Sequence, residues 1–210
     1  MQRTLIIGAS GQIGKKLTQL MLEKNQQVTA LVRDKSKLSD LDSDKLSIVE
    51  GDLSKDFEHA YKNCNKIVFV AGSGGHTGAD QTILIDLWAA CRAADYAIKH
   101  DVKHFIMVSS IGADQPSIGS NSMQPYLVAK HMADEHLINS GLCYSIIRPS
   151  TLTNEAATAK FTSQRPEQKE QAIITRDDVA EALLFCISTP PKKSAITELF
   201  NGNKKITEIF

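Results

Sequence analysis

Tyr126 and Lys130 are the pair of residues whose types and spacing point most directly to proton transfer. Residues four positions apart share one face of a helix, so the phenol and the ammonium can enter one pocket. The ammonium stabilises the ionised phenol, which suits the tyrosine to proton exchange. Ser109-Ser110 precedes the pair at the end of an apolar run. The alternative is a solvated helix face, on which the lysine only extends along the surface.

A glycine-rich turn directly follows the first apolar run of the chain, with the sequence Gly8-Ala9-Ser10-Gly11-Gln12-Ile13-Gly14. Such a turn lets the backbone approach a pyrophosphate closely, and the following helix N-terminus offers free amides and a favourable dipole. We therefore predict dinucleotide contacts from Gly8, Ser10, Gly11, Gln12, Ile13 and Gly14. A tight turn without a ligand is the alternative, but three glycines between a strand and a helix favour the ligand.

The end of the second apolar run carries Arg33 followed by Asp34. NAD-binding proteins keep a carboxylate near this point for the ribose hydroxyls. A guanidinium pairs in fork fashion with a 2′-phosphate, so the order favours NADP(H) over NAD(H). In the alternative, Arg33 is a solvated turn residue and Asp34 binds the ribose. Later runs end in further predicted dinucleotide contacts, namely Asp52, Leu53, Ala71, Gly72 and Ser73.

The elements that must position these groups alternate as βαβ units do. Apolar runs predict strands at Thr4–Ile7, Val28–Val32, Leu46–Val49, Ile67–Val70, Phe105–Val108 and Tyr144–Ile147, with a weaker seventh at Glu198–Phe200. Amphipathic segments predict helices near 11–24, 79–99, 124–140 and 177–188, and a short one near 55–62. Continuous apolar strands are buried on both faces. The pattern thus predicts an α/β fold, a Rossmann-type doubly wound parallel sheet with helices on both faces.

Two irregular segments interrupt this alternation, at about 111–125 and 149–176. Both are expected to leave the carboxyl ends of strands, where ligands of open α/β sheets bind. Long irregular connections are usually functional. Residues 1–210 are therefore predicted to form a single dinucleotide-binding domain in which these segments build a small C-terminal substrate lobe.

Composition limits the classes of partner. Lys plus Arg and Asp plus Glu number 24 each, and this zero net charge argues against nucleic acid or an anionic membrane surface as the main partner. The four cysteines lack metal-ligand spacing, and His100 and His104 lack a third ligand, so no metal site is predicted. No apolar stretch reaches the length of a membrane span. We expect a cytoplasmic monomer or homodimer that acts on a small molecule.

Together these motifs resemble the short-chain dehydrogenase/reductase superfamily, in its atypical and extended branch of NmrA-like and small NAD(P)H-binding oxidoreductases. The resemblance also rests on five further segments: Gly51-Asp52-Leu53, Val108-Ser109-Ser110, Ser140-Gly141-Leu142, Arg148-Pro149-Ser150 and the run from Thr175 to Ala180. It implies that Tyr126 is the general acid/base, that Lys130 orients the nicotinamide ribose, and that Ser110 holds the substrate oxygen. It also implies a cofactor contact at Pro149.

The family that the chain resembles includes carbonyl and quinone reductases, epimerases, dehydratases and redox sensors. Among these we predict an NADPH-dependent enzyme that reduces a small carbonyl or quinone-like substrate by hydride transfer, with Tyr126 as proton donor for a carbonyl. One alternative is an NADP(H)-binding redox sensor with little turnover, which would have no need of Ser110, Tyr126 and Lys130. Another is a small epimerase or dehydratase, for which 210 residues leave little room for a large substrate domain. His76 follows the glycines after the fourth run; we interpret it as a surface-loop histidine, with a position at the border of the substrate pocket as the alternative.

Overall fold

A mostly parallel β-sheet forms the centre of the computed structural model, which describes residues 3–75 and 77–210. The strands are β1 (Arg3–Ile7), β2 (Gln27–Val32), β3 (Leu46–Glu50), β4 (Lys66–Phe69), β5 (His104–Val108), β6 (Tyr144–Pro149), β7 (Thr151–Thr153), β8 (Phe161–Thr162), β9 (Ile173–Thr175) and β10 (Ala195–Asn201). The large sheet has the order β3-β2-β1-β4-β5-β6-β10-β8, and β7 pairs with β9 separately. His76 lies outside the described residues.

The strand order confirms the predicted fold class. The chain starts in the middle of the sheet at β1, moves outward to β3, and returns to β4 on the other side of β1. In such sheets the strand order reverses at one point, and ligands bind beside it at the carboxyl ends of the strands. Gly8 follows β1 at this point, and Ala71 lies just beyond the end of β4. The parallel register of the two strands pairs Ile7 with Phe69.

The helical segments are α1 (Gln12–Glu23), α2 (Ala79–Gln81), a π-helix (Thr82–Ala89), α3 (Ala90–Lys99), α4 (Gln124–Ile138) and α5 (Arg176–Ser188). The predicted helix at 79–99 thus contains a π-helical centre, which apolar spacing does not reveal. Near 55–62 the structure has only a short 3₁₀ helix, Glu58–Tyr61. Further 3₁₀ turns lie at Lys35–Leu38, Pro116–Ile118, Lys169–Gln171 and Ile206–Glu208. Within the described residues, no helix is both long and apolar enough to span a membrane.

Helices cover both faces of the sheet, as the continuous apolar strands predict. Successive β1 side chains point to opposite faces, and those of Leu5, Ile6 and Ile7 are fully buried. Ile6 packs in a cluster with Leu17 of α1 and Leu183 of α5. Leu5 packs on the other face in a cluster that includes Ala93 of α3. Each such aliphatic side chain contributes about 1.5–3 kcal/mol when it is buried.

The seventh strand is longer than predicted, and three short strands were not predicted. β10 pairs in parallel with β6 and in antiparallel fashion with β8. The pairing with β6 begins at residue 195, before the predicted start of the strand. Residues 195–197 are only partly buried and form no continuous apolar run, so the sequence does not indicate them. β7, β8 and β9 have only two or three residues each, too few for a periodic pattern.

The start of α5 also anchors part of the irregular segment that precedes it. The Thr175 hydroxyl accepts a hydrogen bond from the Asp178 amide at 3.0 Å, as an N-cap does. The Asp178 carboxylate does not accept a hydrogen bond from the Thr175 amide, as the side chain of a capping box would. It accepts instead from the amides of Thr158 and Ala159, at 3.0 and 2.9 Å, and from the Thr158 hydroxyl at 2.9 Å.

Arg165 joins the two segments that were predicted to form the substrate lobe. Its guanidinium lies 3.1 Å from the Asp114 carboxylate, in the segment after β5. The same guanidinium makes a two-pronged pair with Glu198 of β10. The structure thus brings segments 111–125 and 149–176 into contact at the carboxyl side of the sheet, next to β6 and β10.

The turn between β1 and α1 depends on glycine for steric reasons. Gly8 has φ +92°, which disfavours any side chain. A Cβ on Gly14 would lie 2.2 Å from the Gly8 carbonyl oxygen, a contact that no rotamer can relieve. The first turn of α1 therefore packs directly on the backbone of the turn.

We expect Gly14→Ala to lower the free energy of unfolding by about 1–3 kcal/mol, because α1 must shift to admit the methyl group. Urea unfolding measures this loss. Gly75→Ala is the control, since a Cβ there meets no atom within 4 Å. Equal unfolding midpoints for Gly14→Ala and wild type would contradict the close packing of this turn.

Candidate functional site

The glycine turn leaves the N-terminus of α1 open to an anion. Gly11 is the N-cap residue, no side chain caps the helix, and its first turn contains no acidic residue. The first amides of the helix are therefore available to a ligand. A Cβ on Gly11 would contact only the Gly8 carbonyl oxygen, at 3.2 Å, so the space beside this residue is open. These features fit the pyrophosphate of a dinucleotide.

The segment after β4 lies against the same turn. A Cβ on Gly8 would come within 2.7 Å of the Ala71 backbone, so these two chain segments are in direct contact. Ala71, Gly72 and Ser73 were predicted as dinucleotide contacts, and the structure places them beside the glycine turn. Two strand ends therefore contribute to one continuous surface.

At the end of β2, the side chain of Asp34 is hydrogen-bonded within its own turn, whereas that of Arg33 is not. The Asp34 carboxylate accepts hydrogen bonds from the Ser36 hydroxyl, at 2.6 Å, and from the Ser36 amide, at 2.9 Å. These bonds lower the pKa of Asp34 below its ordinary value. Arg33 is exposed, and its guanidinium makes no hydrogen bond within the described parts of the chain. The carboxylate is thus engaged in its own turn, whereas the guanidinium is available to a ligand.

Asp52 lies at the end of the neighbouring strand β3, within electrostatic reach of Arg33. Its carboxylate accepts from the Ser54 amide at 2.9 Å and from the Ser54 hydroxyl at 2.8 Å. These bonds lower the pKa of Asp52, and the charges of Lys55 and Arg33 add to the effect. The adjacent Leu53 is buried. The predicted contacts at Arg33, Asp52 and Leu53 therefore lie together at the β2–β3 end of the site.

Tyr126 and Lys130 share one face of α4, as predicted. The Lys130 ammonium lies 5.7 Å from the centroid of the Tyr126 ring. Tyr126 is half-buried, whereas the side chain of Lys130 is only 5% exposed. The ammonium donates a hydrogen bond to the Val108 carbonyl at 3.1 Å, at the end of β5. Lys130 therefore points inward beneath Tyr126, which excludes the solvated helix face as its environment.

Asp86 is the charged partner of Lys130 and was not identified from the sequence. It belongs to the π-helix and is 1% exposed, and its Oδ1 lies 3.2 Å from the Lys130 ammonium. Its Oδ2 accepts from the Ser73 hydroxyl at 2.7 Å and from the Ser73 amide at 3.0 Å. The sequence does contain a signal for it, because Asp86 is an acid within the apolar run from Ile83 to Leu87. An acid buried on such a helix needs a partner.

The two serines at the end of β5 are separated by the structure. Ser109 is buried, and its hydroxyl donates to Asp134 at 2.9 Å. Arg148 approaches the same carboxylate oxygen with Nε at 3.0 Å and Nη2 at 2.9 Å. Burial raises the pKa of Asp134 above its ordinary value, although Ser109 and Arg148 oppose the shift. Ser110 is only half-buried, and its hydroxyl donates to the Ile111 carbonyl at 3.1 Å. The Ser110 hydroxyl therefore lies outside this buried network.

Pro149 ends β6, and its carbonyl accepts from the Ile111 amide at 3.1 Å. The next residue, Ser150, is buried, and its hydroxyl has no hydrogen-bond partner among the described residues. A buried polar atom without a partner is uncommon in folded proteins. Ser150 stands in the Arg148-Pro149-Ser150 motif, but no pattern in the sequence distinguishes its side chain. Its hydroxyl is a candidate ligand contact at this edge.

Other concave regions of the surface lie away from these residues. One, of about 580 Å³, is at the opposite ends of the strands and is lined by Thr4, Lys45, Lys66 and Ile187 among others. Another, of about 540 Å³, lies between α3 and α4 and includes Asp95 and His136. Neither contains a residue of the glycine turn. In residues 3–75 and 77–210, no group of three or more His, Cys, Asp or Glu side chains is arranged to hold a metal ion.

Comparison with known proteins agrees with the geometry of this edge. Residues 8–190 match the NAD(P)H-binding family. The chain is 36% identical over 210 residues to an uncharacterized sugar epimerase, YhfK, of Bacillus subtilis (strain 168), covering 98% of this chain and 97% of the relative.

Solved structures give the same result. A putative NAD-dependent epimerase/dehydratase from Bacillus halodurans has a TM-score of 0.92 and 38% identity, covering 100% of this chain and 98% of that one. The oxidoreductase ylbE from Lactococcus lactis has a TM-score of 0.85 and 26% identity, covering 99% and 94%. These matches confirm the resemblance stated from the motifs, and with it a nicotinamide dinucleotide as the class of cofactor. The chain belongs to the NAD(P)H-binding family, which is part of the superfamily that resembles the short-chain dehydrogenase/reductases.

Proposed function

We propose that this chain is an NADPH-dependent oxidoreductase that reduces a small carbonyl or quinone-like substrate. The observation that carries the proposal is the position of Tyr126 over a buried Lys130, at the sheet edge that also holds the open glycine turn. A binding module that only senses the cofactor would have no use for a phenol held above a buried ammonium. The name of the Lactococcus lactis neighbour, an oxidoreductase, is consistent with this proposal.

In this proposal the dinucleotide lies along the carboxyl ends of the parallel strands. The pyrophosphate meets the free amides at the start of α1, and the exposed guanidinium of Arg33 pairs with the 2′-phosphate of NADPH. The Asp34 carboxylate is held by Ser36 and does not compete for that position. The proposed contacts are Gly8, Ser10, Gly11, Gln12, Ile13, Gly14, Arg33, Asp52, Leu53, Ala71, Gly72, Ser73, Lys130 and Pro149.

In this proposal the cofactor supplies the hydride, and side chains of the protein supply the proton and stabilise the charge on the substrate oxygen. A reduced nicotinamide, when bound, supplies a hydride to the substrate carbon. The Ser110 hydroxyl then donates a hydrogen bond to the substrate oxygen as negative charge develops on it. The Tyr126 phenol donates its proton to that oxygen, and the ammonium of Lys130 stabilises the phenolate that remains. Because Tyr126 is half-buried rather than enclosed, solvent can return the proton after product leaves.

The segments 111–125 and 149–176 are proposed to enclose the substrate. They meet through Arg165, and they follow β5 and β6, the strands that end at Val108 and Pro149. An exposed apolar side chain, Ile118, lies in the first segment and suits a small apolar substrate better than a charged one.

An epimerase or dehydratase is the second candidate, because the names of two relatives include these activities. Such reactions return the hydride to the substrate and consume no cofactor overall. Net consumption of NADPH therefore separates the two candidates. We propose a screen of the purified chain with NADPH against aldehydes, ketones and quinones. The absorbance of NADPH measures how much of the cofactor is oxidised with each compound. Turnover of a substrate without loss of NADPH would support the second candidate instead.

For a carbonyl substrate found in this way, Tyr126→Phe should lower turnover by about two to four orders of magnitude, the loss expected when general acid catalysis is removed. NADPH affinity should stay near the wild-type value, since the ring is retained. Steady-state rates and fluorescence titration of NADPH measure the two effects. Reduction at the wild-type rate by the variant would disprove the role of the phenol as proton donor.

Arg33→Ala should weaken NADPH binding by about 1–3 kcal/mol, the scale of a hydrogen bond to a charged group, and leave NADH binding nearly unchanged. Calorimetric titration with each cofactor measures the difference. Lys103→Ala is a control of equal charge change, because Lys103 is exposed at the opposite end of the sheet, beside the start of β5. Identical affinities of the wild-type chain for NADPH and NADH would contradict the proposed preference.

A further inference from the structure

Lys130 is a buried cation whose surroundings come from several elements of the fold. Asp86 faces it from the π-helix, and Tyr126 and Asp134 face it from its own helix, α4. The Val108 carbonyl approaches from β5, and Arg148 of β6 is bonded to Asp134. Among these groups, Asp86 is the one whose carboxylate lies in ion-pair contact with the ammonium.

A buried ammonium is unstable without a partner of opposite charge. Burial alone works to lower the pKa of Lys130, but the facing charges of Tyr126, Asp86 and Asp134 outweigh it, so its pKa lies above the ordinary value. Asp134 is already shared with Ser109 and Arg148. Removal of Asp86 would therefore leave Lys130 with a carboxylate that Arg148 largely neutralises.

The carboxylate of Asp86 also connects two parts of the site. Its Oδ1 faces Lys130 on the α4 side, and its Oδ2 accepts both hydrogen bonds from Ser73 on the side of the glycine turn. Gly72 permits this approach, since a Cβ there would lie 3.2 Å from Oδ1. The same side chain thus fixes the segment after β4 and the ammonium beneath Tyr126.

We infer that Asp86 is a positioning residue, which holds Lys130 as a cation beneath Tyr126 and fixes it relative to the dinucleotide-binding segment at Ser73. The role in reduction rests on the function proposed above. The ion pair itself is a property of the free chain and can be tested without cofactor or substrate.

Asp86→Asn is the informative substitution, because the amide oxygen can still accept from Ser73 while the negative charge is lost. NMR spectra of the cofactor-free chain labelled with ¹³C- and ¹⁵N-lysine follow Lys130, which is assigned by its absence in Lys130→Met. We expect Lys130 to titrate in Asp86→Asn at a pH about 1–3 units lower than in wild type. Asp95→Asn is the matched control, since Asp95 is exposed on α3 and pairs with His136, and it should leave the Lys130 titration unchanged.

With a substrate from the screen, the pH profile of kcat gives a second measure. Protonated Lys130 is the active form, so kcat of Asp86→Asn should fall as pH rises through the lowered pKa of Lys130. The wild-type profile should lack this loss in the same pH range. A merely structural role for Asp86 would change the rate without moving the pH at which it falls. An unchanged Lys130 titration in folded Asp86→Asn would overturn the inference.

If Asp86→Asn does not fold, the double variant Asp86→Asn/Lys130→Met decides the matter, because it leaves neither charge buried alone. Recovery of native circular dichroism in the double variant supports the pairing, and failure to recover would overturn it. The titration also separates this inference from the proposed function. A shifted Lys130 signal in a chain that reduces no carbonyl or quinone would contradict the proposed reduction and leave the pairing intact.

Discussion

The buried ammonium of Lys130 is the constraint on which the arrangement of the site depends. A cation in this position requires carboxylates close by, and these come from the π-helix and from α4 itself. Asp86 reaches across to Ser73, and Asp134 reaches across to Ser109 and Arg148. The ends of β5 and β6 and the segment after β4 are therefore joined through one set of buried charges. The geometry proposed for catalysis and the local stability therefore depend on the same contacts.

Burial of these charges also explains why the surface above them can be open. Tyr126 and Ser110 lie at the boundary between the buried network and solvent, and neither takes part in the ion pair between Lys130 and Asp86. In the proposed function they bind and protonate the substrate, while Asp86, Asp134 and Arg148 hold the charges of the interior. The glycine turn works in the same way at the other end, since its helix amides have no side-chain partner.

The regular part of the fold was predictable because its signal is repetitive. β1, β2, β4, β5 and β6 each carry an apolar run that is buried on both faces, whereas β3 at the sheet edge has the predicted run but is only partly buried. The glycine spacing locates the start of α1 between the first two strands. Tyr126 and Lys130 were found by their spacing together with the glycine turn and the serine pair that precede them. Asp134 was not found, because an acid on a helix is expected to be solvated until the partner that faces it is known. Asp86 was also missed, and its position within an apolar run was the signal that could have identified it. The π-helix and the two-residue strand β8 have no distinct periodicity to detect.

The segments around the proposed substrate region are attached to the sheet by few polar contacts. Asp178 holds residues 158 and 159, Arg165 holds Asp114 and Glu198, and β8 pairs with β10 over two residue positions. Phe161 and Ile174 in this part of the chain belong to the core, but exposed residues such as 167–171 can change in length or sequence without disturbing it. The region can therefore diversify independently of the dinucleotide-binding half, and an engineered chain that keeps these three attachments could accept a grafted loop of new specificity.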